Sequence, residues 1–165
     1  MSYAFSVSRR GVRTAAALGA ATLGLLATAG CGMTEPTALT TVTVGSETVT
    51  TEATCLPEGD GGLTRKEGFA CLKKKPDATI TVKQGDRIHL GVEPDMAETG
   101  WIYFVNQRPM SAEAMKSTYQ TVDSNDWFQP NPNQPSPPKK VTLSVTTLGK
   151  NELKGIWNIT VEREQ

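Results

Sequence analysis

A chain of 165 residues has room for one domain and hardly two. Its 17 basic and 17 acidic residues balance to a formal charge of zero, which argues against a basic nucleic-acid binder and against an acidic disordered tail. The balance hides an asymmetry: Arg9, Arg10 and Arg13 precede a long uncharged run and every acidic residue follows it, leaving 14 basic against 17 acidic residues beyond residue 30. Residues 14–30 are mostly Ala, Leu and Gly. A basic start, a short apolar run and small residues at its end make a secretory signal peptide over residues 1–30. A membrane-spanning anchor is the competing reading, but the run is rich in Ala, Gly and Thr, and a spanning helix needs ~20 strongly apolar residues. The Arg9-Arg10 pair also looks like a twin-arginine export signal.

The end of the run is more specific. Leu26-Ala27-Thr28-Ala29-Gly30-Cys31 resembles the lipobox of bacterial lipoproteins, with small residues just before the Cys and Thr28 where Leu is usual. The resemblance implies that Cys31 carries a thioether-linked diacylglycerol and becomes the new N-terminus, tethered to the outer face of the cytoplasmic membrane. Two acyl chains hold stably where one binds reversibly. With Cys31 consumed, Cys55 and Cys71 remain as a pair, and outside the cytoplasm a pair reads as a disulfide. Metal binding or redox work is the alternative for these two, without the expected CxxC spacing.

Residues 31–38 read as a lipidated tether and residues 39–165 as the folded domain. Thr41-Val42-Thr43-Val44 alternates, Gly45-Ser46 turns or bends, and Thr48-Val49-Thr50 resumes, with the β-branched residues that strands prefer. Thr64 stands three residues before Glu67, the capping-box spacing, and Pro76 ends the segment, so the pattern predicts a short helix over about 65–74. Phe69 and Leu72 give it a small apolar face, and Gly68 weakens it by ~1 kcal/mol relative to Ala. Ile80/Val82 and Ile88/Leu90/Val92 alternate around Gln84-Gly85-Asp86 and predict a strand pair. Residues 101–105 form a continuous apolar run, which suits a strand buried on both faces. A weaker strand falls at 118–122, and two more centre on Val141-Leu143-Val145 and on residues 156–161. About seven or eight strands, one helix and no βαβ alternation predict an all-β, antiparallel sandwich. Trp101, Tyr103, Phe104 and Trp157 are its expected large core residues.

Few residues suggest chemistry. His89 is the single histidine and points away from the core, so it cannot build a multi-His metal site or a blue-copper centre, and nothing resembles a nucleophile elbow. Glu93, Asp95 and Glu98 cluster in a turn whose spacing is loose for Ca²⁺. Arg65, Lys66 and residues 73–75 form a basic patch suited either to anionic headgroups or to plain solvation of a helix end. Asn158-Ile159-Thr160 matches a glycosylation sequon inside a predicted strand and reads as coincidence. The most informative stretch is Trp127-Phe128 followed by a loop bearing Pro130, Pro132, Pro135, Pro137 and Pro138. Long aperiodic loops are commonly functional, proline limits the entropy lost on docking, and aromatics make contact hot spots. This makes Trp127, Phe128, Pro130, Pro132 and Pro135 candidate partner-binding residues. The competing reading is that the aromatics plug the sandwich edge while the prolines keep it from pairing.

The layout as a whole resembles small actinobacterial lipoproteins of the family known as domain of unknown function 2771. Cys31, Thr41-Val42-Thr43-Val44-Gly45, Cys71-Leu72-Lys73-Lys74-Lys75, Thr79-Ile80-Thr81-Val82, Gly100-Trp101 and Gly155-Ile156-Trp157 carry the resemblance over nearly the whole mature chain. The family implies no activity, cofactor or ligand, so no catalytic, metal or cofactor residue is carried over. The expected topology is immunoglobulin-like. The expected role is a non-enzymatic binding or scaffolding module of the cell envelope, with an unknown envelope protein or ligand as partner and no nucleic acid. The alternatives are an immunoglobulin-like protease inhibitor and a small-ligand-binding lipoprotein.

Overall fold

In the computed structural model, residues 37–59, 61–130, 135–149 and 152–164 are described. Two strands open the domain, β1 (Thr40–Val44) and β2 (Glu47–Thr51). They form a hairpin, which decides between the two readings of Gly45-Ser46. Gly45 takes φ +57°, a left-handed turn conformation that glycine adopts without steric cost. Val42 and Val44 point into the core, while Thr41/Thr50 and Thr43/Thr48 pair their hydroxyls on the solvent face at 3.2 and 3.0 Å. The same alternation therefore supplies core and surface at once.

The remaining elements are α1 (Arg65–Leu72), β3 (Ala78–Val82), β4 (Arg87–Val92), α2 (Pro94–Thr99), β5 (Trp101–Val105), β6 (Arg108–Pro109), β7 (Tyr119–Asp123), β8 (Lys140–Leu148) and β9 (Leu153–Arg163). A 3₁₀ turn, Ser124–Asp126, follows β7. One sheet runs β2-β1-β4-β7 and the other β3-β9-β8-β5-β6. The all-β reading of the sequence holds, and the two sheets face each other across one apolar core. Trp101 is fully buried, its indole N–H donating to the Ser117 carbonyl at 2.8 Å. Trp157 is buried as well and donates to the Ala38 carbonyl at 2.7 Å, pinning the chain where it enters β1.

Four expectations are corrected. The sandwich is not wholly antiparallel, because β3 pairs parallel to β9. The connection that carries α1 delivers β3 to the free edge of β9, and a long connection permits either direction. β3 and β4 are not a strand pair but belong to different sheets. Ile80 and Val82 face Ile88 and Leu90 across the core, and alternation cannot distinguish that arch from a hairpin. The bend is tied by Asp86, whose carboxylate accepts from the Lys83 N–H at 2.7 Å and whose own N–H donates to the Lys83 carbonyl at 3.2 Å. There is a second helix, α2, where a solvated turn was expected. Pro94 starts it with a preset φ, Met96 and Ala97 are buried, and Gly100 closes it at φ +97°. Finally, β5 is buried on one face and half-buried on the other, so Phe104 lies outside the main core.

A second, smaller apolar cluster lies on the outer face of the second sheet. It joins Cys55, Leu63, Cys71, Leu72 and Ile156, with Phe104 and Leu153 at its margin. Helix α1 covers it. The capping box is complete: Thr64 Oγ1 accepts from the Glu67 N–H at 3.3 Å, and the Glu67 carboxylate accepts from the Thr64 N–H at 2.7 Å. The buried face of α1 is Gly68, Cys71 and Leu72, not Phe69 and Leu72, and Phe69 is 54% exposed. Gly68 serves packing here, since a Cβ would stand 3.1 Å from Leu153 Cδ1.

Candidate functional site

The Pro-rich loop is rooted by a chain of short contacts. Asp123 ends β7 and accepts from the Asn125 N–H at 2.8 Å, capping the 3₁₀ turn. Within that turn Ser124 is buried, donates its hydroxyl to the Lys83 carbonyl at 2.8 Å, and donates its N–H to the Asp86 carbonyl at 2.9 Å. These bonds tie the loop root to the bend that links the two sheets. The Trp127 N–H then donates to the Ser124 carbonyl at 3.1 Å, and the Gln129 amide donates to the Asn125 carbonyl at 3.0 Å.

This geometry turns Trp127 and Phe128 inward. Both are buried, at 4% and 5% exposure, and both belong to the main core. The Trp127 ring lies 6.0 Å from the Tyr103 ring at a 48° tilt, an aromatic pairing distance. The Arg163 guanidinium stands 5.8 Å from the centre of the Phe128 ring, within cation–π range. Burial pushes the Tyr103 phenol above its ordinary value, and the nearby Asp126 carboxylate adds to the rise. The side chains of Trp127 and Phe128, candidate contact residues in the sequence, thus lie inside the domain, an arrangement that fits the edge-plug reading. Pro130 and Pro135 are exposed. Pro132 lies outside the described residues, as does Cys31.

Two clefts flank the loop root. One of about 260 Å³ lies on the Gln84 and Arg163 side, and one of about 270 Å³ on the Arg108 and Met110 side. Gln129 and Pro130 line both and form the ridge between them. The second cleft owes its shape to the β5–β6 turn, where Asn106 and Gln107 take φ of +49° and +67°. Asn106 holds that turn with its side-chain carbonyl, which accepts from the Thr142 N–H at 2.9 Å. Asn is at home in such a conformation and Gln is not, so this turn had only a half-signal in the sequence. Arg163 and Tyr103 were missed as loop supports because nothing local to them marks the contact.

Elsewhere, Cys55 and Cys71 form the disulfide, with Cα atoms 6.1 Å apart and a sequence separation of 16. It lines an open cleft of about 570 Å³ together with Leu56, Glu58, Glu67 and Lys74. The exposed His89 shares a 2.9 Å hydrogen bond between Nδ1 and Thr121 Oγ1 across the strand pair. Among the described residues no three His, Cys, Asp or Glu side chains are gathered for a metal ion. The Asn158 side chain is fully buried and donates to the Cys71 carbonyl at 2.8 Å, which fits the reading of its sequon as coincidence. Comparison of the chain with protein-family models, with curated proteins and with solved structures finds no match.

Proposed function

We propose that this chain is a lipid-anchored, non-enzymatic binding module of the bacterial cell envelope, held at the outer face of the cytoplasmic membrane through Cys31. The sandwich is read as immunoglobulin-like in its use, a rigid body that presents a loop. The observation that carries the binding role is the rooted ridge at Gln129 and Pro130, flanked by clefts on both sides. Its root is fixed in the core by Trp127 and Phe128, and its described tip residues Pro130 and Pro135 are exposed. A root fixed before contact loses less entropy on docking. The anchor reading rests on the lipobox-like sequence. Trp157 fixes the chain at Ala38, seven residues after Cys31, and an extended segment of that length reaches at most about 25 Å. The sandwich would thus work close to the headgroups.

The test is photo-crosslinking in native membranes from Gln129 and Ser136, with Thr48 on β2, the edge strand opposite β7, as control. Capture of one envelope component from the loop positions alone is the expected outcome. Equal capture, or none, at all three positions refutes the loop as the docking element. Metabolic labelling with an alkynyl fatty acid tests the anchor separately: the label should enter the chain and be absent from Cys31→Ser.

A further inference from the structure

Besides one covalent bond, helix α1 is held to the sandwich by a small apolar cluster and a few hydrogen bonds. Its apolar cluster is separate from the core between the sheets. Three of its residues are buried, and its one aromatic, Phe69, is exposed. Polar contacts assist: the Leu63 N–H donates to the Leu153 carbonyl at 2.7 Å, the Gly62 N–H donates to the Glu152 carboxylate at 2.8 Å, and the Asn158 amide donates to the Cys71 and Lys74 carbonyls at 2.8 and 3.3 Å. Beneath the helix the seating is imperfect. Ser144 and Asn158 are directly paired across β8 and β9, both fully buried. Ser144 Oγ and Asn158 Oδ1 have no hydrogen-bond partner among the described residues. Buried polar groups left unpaired oppose the closed arrangement.

The two cysteines differ in what holds them. Cys55 is clipped to β9 by backbone bonds in both directions, Ile156 N–H to Cys55 carbonyl at 2.9 Å and Cys55 N–H to Ile156 carbonyl at 3.2 Å. Cys71 rides on the last turn of α1. Their bond therefore ties the helix to the sheet, and both residues line the open cleft beside it. We propose that α1 is a flap latched by Cys55–Cys71, and that a dithiol reductant releases it while the sandwich stays folded.

The chemistry is thiol–disulfide exchange. A thiolate of the reductant attacks one sulfur, the Cys55–Cys71 bond breaks, and the other cysteine leaves as a thiolate that takes up a proton. The second thiol of the reductant then attacks the mixed disulfide and frees the first cysteine. Two electrons pass, giving two protein thiols and one oxidised dithiol. Ile156, Ser144 and Asn158 on the outer face of β8 and β9 lose their cover as α1 lifts.

Hydrogen exchange read by mass spectrometry on the full chain tests this, with and without dithiothreitol. Exchange over residues 64–74 should accelerate roughly a hundredfold on reduction, the factor expected for opening a loop of this length. Residues 40–51 and 87–92, in the other sheet, should not change. The double variant Cys55→Ser/Cys71→Ser should show the same pattern without reductant. Unchanged exchange over 64–74 in the double variant overturns the proposal, because the non-covalent contacts then suffice. Acceleration that spreads to 40–51 overturns it too, since the bond would then hold the sandwich itself. Alkylation with mass readout gives the third arm: a disulfide that survives dithiothreitol in the native protein means the cleft does not admit the reductant, and the latch is refuted.

Discussion

Trp127→Ala separates a structural aromatic from a contact aromatic. The indole is 4% exposed and packs against Tyr103 in the main core. A tryptophan side chain buries about 200 Å², worth about 5 kcal/mol at about 25 cal/mol per Å². Alanine keeps the Cβ and the surroundings relax in part, so the expected loss is about 4 kcal/mol, within the range for aromatic truncation in cores. A domain of ordinary stability has only about 5–15 kcal/mol to lose, so the variant should fold but marginally. Urea unfolding followed by far-ultraviolet circular dichroism reads this directly. With a slope of about 2 kcal/mol per molar, the midpoint should fall by about 2 M. Pro130→Ala, on the exposed ridge, should stay within about 0.5 kcal/mol of the parent. A Trp127→Ala loss below about 1 kcal/mol would refute the assignment of the indole to the core and return it to the surface as a contact residue.

Three further outcomes are expected. Gly155→Ala should destabilise by about 1–3 kcal/mol in the same urea assay, because its Cβ would stand 2.7 Å from the Trp157 ring, which is pinned by its bond to Ala38 and cannot give way cheaply. Glu67 is held below its ordinary value of 4.5 by its bonds to Thr64, so it supports α1 above that value, and the support is lost as pH falls through its lowered pKa. Amide chemical shifts of residues 64–68 should record fraying of the helix start in acid, and Glu67→Gln should abolish that pH dependence. Tyr103 is the opposite case: its phenol is raised above 10.0, so the folded state keeps the proton while the unfolded chain ionises. Stability should be full below pH 10 and decline as pH rises above it, and Tyr103→Phe, compared by thermal unfolding at pH 8 and 11, should remove that decline.

Much of the fold could be read along the chain because its signals are local. The Thr-Val alternation of β1 and β2, the Thr64/Glu67 capping box and the apolar run of β5 each need only neighbouring residues to be recognised. The α2 segment was missed because its acidic residues face solvent and drew the reading, while the start signal at Pro94 and the buried Met96 and Ala97 weigh little in so short a helix. The candidate site was legible as a place and not as a surface. A proline-rich stretch marks an irregular loop by backbone chemistry alone, but whether an aromatic at its root faces inward depends on Tyr103 and Arg163, which are distant in sequence.

The sequence by itself determined most strand segments and the capped helix. Periodicity and capping stereochemistry are properties of neighbours, whereas the pairing of Cys55 with Cys71 is shown by the fold that brings them together. Tertiary structure alone decided that β3 crosses to the other sheet and runs parallel to β9, that Phe69 faces solvent, and that Trp127 and Phe128 are anchors. The physical reason is common to all three. An apolar residue must be buried against something, and a linear pattern states which residues are apolar without stating which surface covers them.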